Sequence, residues 1–153
     1  MKEKFPYLGN DVLITQDMCD LNEHMNVIYY AKIFEDEFPF YDSLGFTSDY
    51  FKQGYSFFTL EMNIRYHQEM RKGEIASPCF RYFAVKPKLI HYGGVLLNES
   101  GEVSSITENV LIHVDMNTRK SCEMSDSTID HLKDMVAAHS ATGEIDFELR
   151  LKI

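Results

Sequence analysis

The sequence predicts an α+β fold in which an antiparallel sheet wraps around one long central helix. Two observations carry this. One early stretch repeats its apolar residues at intervals near 3.6, and four later stretches, the first with a period of two, read as successive long strands joined by short turns. A chain of 153 residues, 44% of them hydrophobic, is one domain's worth, and residues 1–153 are read as a single domain.

The elements follow in order. "DVLIT" (11–15) is a short β-rich run. In the next segment Ile28, Ala31, Ile33, Phe34, Phe38 and Tyr41 share one helical face, and the helix is expected to end near Leu44 and Gly45, kinked or shortened by Pro39. From Ser56 the period becomes two. Phe58, Leu60, Met62, Ile64 and Tyr66 fall on one face of a long strand, and Phe57, Thr59, Glu61, Asn63, Arg65 and His67 on the other. Residues 74–86 and 89–98 read as two further strands, with Gly93 and Gly94 suggesting a bulge or bend. "NESG" turns the chain into a strand over 103–116, residues 127–139 read as a second helix, and the alternating tail "EIDFELRLKI" predicts a sixth strand.

Composition narrows the partners. The net charge of −9 speaks against nucleic acid, because phosphate contacts need a basic stripe and the short groups "MRK" and "RYFAVKPK" are not one. No stretch approaches the length of a membrane span and the first residues lack an apolar core, so no membrane partner and a cytoplasmic location are expected. Cys19, Cys79 and Cys122 have no paired or zinc-like spacing and sit among apolar neighbours, which fits buried thiols in a reducing compartment. The six His are scattered, and no metal is expected.

One stretch concentrates polar chemistry. In "CDLNEHMNVIYY" (19–30), Asp20, Asn22, Glu23, His24 and Asn26 precede the predicted central helix. Asp20 or Asn22 could accept the first free amides with Glu23 completing a capping box, or the same residues could form a site at the positive end of the helix. Spacing leaves both readings open. His24 is equally a loop anchor or a proton carrier, and Glu61 with Arg65 is equally an ion pair or part of a site. Tyr29, Tyr30, Phe34, Phe57 and Phe58 read first as core.

The wording of that stretch resembles a known family. Asp20, Asn22, His24, Met25, Asn26, Tyr29 and Tyr30 match the "D-x-N-x-H-M-N-x-x-Y-Y" start of the helix in acyl-CoA thioesterases of the 4-hydroxybenzoyl-CoA thioesterase type. Residues 55–74 resemble the family's second strand, with a mid-strand Glu and a Tyr before a "G-(D/E)" turn, and residues 111–121 resemble its last strand with the ending "V-D-x-x-T-R". Within the family the chain looks most like the thioesterase-like domains associated with carnitine dehydrogenases. The resemblance covers about residues 6–125 and implies the hot-dog fold. Glu23 stands where the family usually has Gly, and Met18 where many members carry an extra Asp, departures that bear on the substrate more than on the reaction.

The resemblance implies a thioester hydrolase acting on a small or polar acyl-CoA, betainyl-CoA among them. Asp20 would be nucleophile or general base, the backbone amides of Asn26 and Val27 would hold the oxyanion, and His24, Asn26 and Glu61 would complete the catalytic set. Glu23, Tyr29, Tyr30 and Phe57 would form the substrate pocket, with rings and Glu23 caging a cationic acyl group where there is one. Arg71, Lys72, Lys86 and Lys88 are candidates for the CoA phosphates. Coenzyme A enters as part of the substrate, with no separate cofactor, and the chain is expected to be a homodimer or homotetramer. A hot-dog hydratase would need Asp and His one residue further apart. A non-catalytic acyl-CoA or small-ligand binding module on the same fold stays open.

Overall fold

The computed structural model describes residues 1–44, 46 and 48–153, without the side chain of Ser43. The predicted helix end at Gly45 lies outside the described residues. Seven strands form one antiparallel sheet: β1 (Tyr7–Leu8), β2 (Val12–Leu13), β3 (Tyr55–Tyr66), β4 (Ile75–Lys86), β5 (Leu89–Leu97), β6 (Val103–Asp115) and β7 (Lys120–Ser121). The long strands run in the order β4-β5-β6-β3, β1 and β2 extend the β4 side, and β7 pairs with the end of β6. Among the described residues β3 is hydrogen-bonded on one side only, to β6, and stands there as a free edge.

Among the described residues four α-helices accompany the sheet: α1 (Val27–Glu37), α2 (Phe40–Ser43), α3 (Ser48–Lys52) and α4 (Asp126–Ser140). α1 buries Tyr30, Ile33 and Phe34 in a core that includes Phe80, Tyr82, Ile90 and Leu111 of the sheet and Leu132 of α4. The helix expected to end near Leu44, kinked or shortened by Pro39, is broken at that proline, which has no N–H to donate and whose ring clashes with the preceding turn. α1 is therefore three turns long, shorter than α4.

β3 departs from simple alternation. Its register on β6 shifts between Thr59 and Glu61, so Leu60 is an extra residue. Beyond the bulge the faces exchange: Phe57 packs into the core before it, and Ile64 and Tyr66 approach α1 after it. Gly93 and Gly94 mark no bulge. They lie under aromatic rings, a Cβ on Gly93 meeting Phe83 at 2.7 Å and the Thr107 carbonyl at 2.5 Å, and one on Gly94 meeting Phe80 at 2.7 Å.

The tail is not a sixth strand. Ile145, Phe147, Leu149, Leu151 and Ile153 turn inward while their neighbours are exposed, as the alternation demands, but the segment pairs with no strand. Ile145 and Phe147 pack beside Phe5, Cys79, Val95 and Ile106 on the face of the sheet away from α1. Further on, the Arg150 and Leu151 amides donate to the Glu108 carboxylate at 2.9 and 3.1 Å. Glu108 is fully buried and also accepts from Arg65 Nη2 at 2.9 Å. Arg65 is thus paired with Glu108 and not with Glu61. Of the thiols, Cys79 is buried and Cys19 and Cys122 are half-buried, all unpaired.

Candidate functional site

The polar stretch folds as a tight loop ahead of α1. Cys19 and Met25 form an antiparallel bridge, the Asp20 N–H donates to the His24 carbonyl at 3.1 Å, and the Glu23 N–H donates to the Asp20 carbonyl at 3.0 Å. Asp20 Oδ1 accepts the Asn22 N–H at 2.8 Å, an Asx turn that fixes the carboxylate on its own backbone. His24 Nδ1 lies 3.9 Å from the same oxygen, and both side chains are about one-third exposed (33% and 28%). Glu23 closes the turn at φ 65°, the left-handed region where a Cβ is crowded by the backbone.

This geometry separates two roles that the sequence left mixed. The cap of α1 is Asn26, whose Oδ1 accepts the Ile28 N–H at 3.1 Å. Asp20, Asn22 and Glu23 do not cap the helix, and no capping box forms, because the turn holds them seven to four residues upstream of Val27. The Asn26 N–H, expected as an oxyanion donor, is engaged by the Met18 carbonyl at 2.9 Å. The Met25 N–H is engaged by Met70 at 2.7 Å. Among the described residues the Val27 N–H has no partner, as befits the first amide of a helix.

Val27 opens onto a cavity of about 320 Å³ lined by His24, Met25, Tyr30, Tyr66, Gln68 and Glu69, with His67 at its margin. Tyr30 stands edge-on to Tyr66 at 5.1 Å, and burial pushes its hydroxyl pKa up, which keeps it a donor. Asp20 thus sits beside His24, which with Val27 lines a mostly apolar hollow.

The other candidate residues are distributed. Arg71 and Lys72 line a groove with Cys19 and Glu23 beside the Asp20 turn, and Arg71 is bridged to His24 and ion-paired with Glu69. Lys86 and Lys88 flank the β4–β5 turn, a full length of β4 away, about 36 Å for eleven steps of 3.3 Å. Tyr29 is half-buried against the core and lines neither cavity. Glu61 is exposed on the free edge strand. Phe57 is buried at the opposite end of β3 from Tyr66, in a second cavity of about 150 Å³ between the end of α1, α2 and the sheet. Tyr66, His67, Gln68 and Glu69, which wall the first cavity, were not read as site residues from the sequence; only tertiary pairing brings them to the helix start. Among the described residues no cluster of His, Cys, Asp and Glu could hold a metal, and no helix is long and apolar enough to cross a membrane.

An antiparallel sheet packed on a helix whose start carries the polar loop is the hot-dog arrangement, and comparison with known proteins agrees. The chain belongs to the thioesterase-like superfamily, whose model matches residues 14–132. It is 26% identical over 132 residues, 84% of its length, to an L-carnitine dehydrogenase/betainyl-CoA thioesterase of Agrobacterium fabrum, and 28% identical over 121 residues, 78% of its length, to the protein of that name from Ruegeria pomeroyi. It spans only about a quarter of those relatives (27% and 25%). Among solved structures, a hypothetical Staphylococcus aureus protein in complex with CoA superposes with a TM-score of 0.77 at 21% identity, covering 95% of this chain and 94% of that one. The DHNA-CoA thioesterase of the same organism gives 0.77 at 20% identity, covering 91% and 95%.

Proposed function

We propose that the chain hydrolyses the thioester of a small or polar acyl-CoA, with Asp20 as nucleophile or general base and the Val27 N–H as oxyanion donor. The observation that carries the reading is that one cavity is lined both by His24, 3.9 Å from Asp20, and by Val27, whose N–H has no partner among the described residues. A thioester carbonyl is a good electrophile because sulfur donates weakly into it, so a placed carboxylate and one preorganised donor supply most of what the reaction needs. As nucleophile, Asp20 would add to the carbonyl carbon and expel the CoA thiolate, leaving an anhydride that water opens to the free acid. As base, it would take the proton of a water that adds directly. Asn22 N–H holds Oδ1 and leaves Oδ2 with only a long 3.5 Å contact, so Oδ2 is the oxygen assigned to the reaction.

Arg71 and Lys72, beside the turn, are assigned to the CoA phosphates in preference to the distant Lys86 and Lys88. The names of the Agrobacterium and Ruegeria relatives make betainyl-CoA a substrate to test first, and the CoA complex of the Staphylococcus protein supports CoA recognition on this fold. The free β3 edge favours pairing into a homodimer, or a homotetramer built from one, with Glu61 acting from the partner and α1 as the central helix of each protomer.

The test is release of free thiol from acetyl-, betainyl-, 4-hydroxybenzoyl- and medium-chain acyl-CoA, comparing wild type with Asp20→Asn at matched thermal stability. Hydrolysis of any member with a loss on the order of a hundredfold in the variant supports the proposal. No hydrolysis by wild type would leave a non-catalytic acyl-CoA-binding module instead, and equal rates in the two proteins would remove Asp20 from the reaction.

A further inference from the structure

The cavity at the far end of α1 has the chemistry of a cation cage. Its walls are Phe38, Phe40, Tyr41, Phe57 and Tyr92, with Glu35 at the rim and Thr59 below. Phe40 meets Phe57 edge-on at 5.2 Å and Tyr41 edge-on at 5.0 Å, while Phe38 stacks on Tyr92 at 4.2 Å. Phe38, Phe40, Phe57 and Tyr92 are each at least nine-tenths buried. At about 150 Å³ the space suits a headgroup the size of a trimethylammonium and excludes a long acyl chain.

Charge favours a cation there. The last turn of α1 carries Glu35, Asp36 and Glu37, an unfavourable set at the negative end of a helix dipole. Asp36 is paired with Lys32 at 2.6 Å, and Glu37 accepts from the backbone and side chain of Asn10 at 3.0 Å. Glu35 has neither an ion pair nor a side-chain hydrogen bond among the described residues, and it is the one that borders the cavity. Tyr92, 4% exposed, lines the same space, and burial first and the Glu35 charge second hold the proton on its hydroxyl.

We propose that this cavity binds a quaternary ammonium group, its methyls against the aromatic faces and its charge answered by Glu35. Within one chain the cage stands about 16 Å from the Val27 amide, eleven helical steps of 1.5 Å, too far for a short acyl group to span. Phe57 and Thr59, however, lie near one end of the free edge β3, and Tyr66 of the first cavity ends the other. A second copy pairing antiparallel along β3 sets the cage of one copy beside the Asp20 turn of its partner, and a cationic acyl group then fits between them. That last step rests on the thioesterase reading; the cage itself does not.

The experiment titrates choline and its neutral isostere 3,3-dimethylbutan-1-ol into the wild-type protein, followed by NMR shifts of ring protons and by calorimetry. Choline is expected to bind on the order of tenfold more tightly than the alcohol. Glu35→Gln, at an exposed position that leaves the fold intact by thermal unfolding, should lower choline affinity several-fold and leave the alcohol unchanged. Tyr41→Leu, which keeps the rim apolar, should lower choline affinity as well. Equal binding of the two probes, no binding of either, or full choline affinity in both variants would overturn the cage. No turnover is involved, so failure of every acyl-CoA to be hydrolysed would sink the thioesterase reading and leave the cage standing.

Discussion

Replacing Glu23 by glycine should stabilise the protein. Glu23 holds φ 65° with its side chain exposed and without a hydrogen bond of its own, and its backbone N–H is bonded to Asp20 whatever the side chain. An L-residue in the left-handed region costs roughly 1–2 kcal/mol, and a glycine returns about 0.4–1 kcal/mol of that through the freedom it adds to the unfolded chain. The net is a gain of about 0.5–1 kcal/mol, or some 1–4 °C in Tm for a chain of this size. Glu23→Ala is the control: it removes the same carboxylate but keeps the Cβ, so it should gain nothing from the backbone. Urea unfolding of the three proteins at pH 7 reads both differences from the midpoints at constant m. If glycine proves no more stable than alanine, the turn is not strained and the reasoning fails.

Two further outcomes follow from buried groups. Glu108→Gln breaks the pair with Arg65 and weakens the hold on the Arg150 and Leu151 amides, and should cost about 3 kcal/mol or more. Trypsin should then cut at Arg150 faster in the variant, and an unchanged rate would mean the tail is held by its apolar residues alone. His139 Nδ1 accepts the Tyr82 N–H at 2.9 Å, on the β4 edge that β1 leaves uncovered, and desolvation, then the charge of Arg81, pushes its pKa down to about 4. Because the folded pKa lies below the unfolded value near 6.5, its stabilisation is whole above pH 6.5. It is lost as pH falls toward 4, about 3 kcal/mol in all. His139→Asn should be less stable at pH 7 and should flatten the fall in stability between pH 6.5 and 4. The slope that survives includes that of His91 and His113, which burial depresses in the same direction, joined toward pH 4 by carboxyls such as Asp115 that backbone N–H groups hold low. An unaltered slope would show that His139 does not titrate with folding.

β4 to β6, buried on both faces along much of their length, were legible as long apolar runs between turn residues, and β3 was legible from a period of two. The same signal misled at the tail. Alternation from Ile145 to Ile153 records that one side faces the protein, and it cannot say whether the other groups are bonded to a strand; here Glu108 takes two of the amides and no strand takes the rest. Leu60 was invisible for the opposite reason, since a bulge is a backbone irregularity and the residues on either side alternate as before. At the site, five polar residues before a helix looked like one feature. Only Asn26 caps the helix, and Asp20 and Asn22 cap each other's turn, a distinction set by the Cys19–Met25 bridge and by no spacing rule.

The glycine missing before His24 now has a physical meaning. A turn that must reverse within Asp20 to Glu23 while its ends are bonded to Met25 and Met18 requires a left-handed residue at its last position. Glycine fills that position without strain; Glu23 fills it at a cost and places a carboxylate in the groove of Arg71 and Lys72. A strained, charged residue there would be selected against by stability alone, so the reason to look for is in the groove. If Glu23 tempers the attraction of Arg71 and Lys72 for CoA phosphates, Glu23→Gly should tighten CoA binding as well as stabilise the fold. Glu23→Ala should tighten it equally without the stability. Titration of CoA into the three proteins separates the two effects, because charge and backbone strain are removed together in one variant and singly in the other.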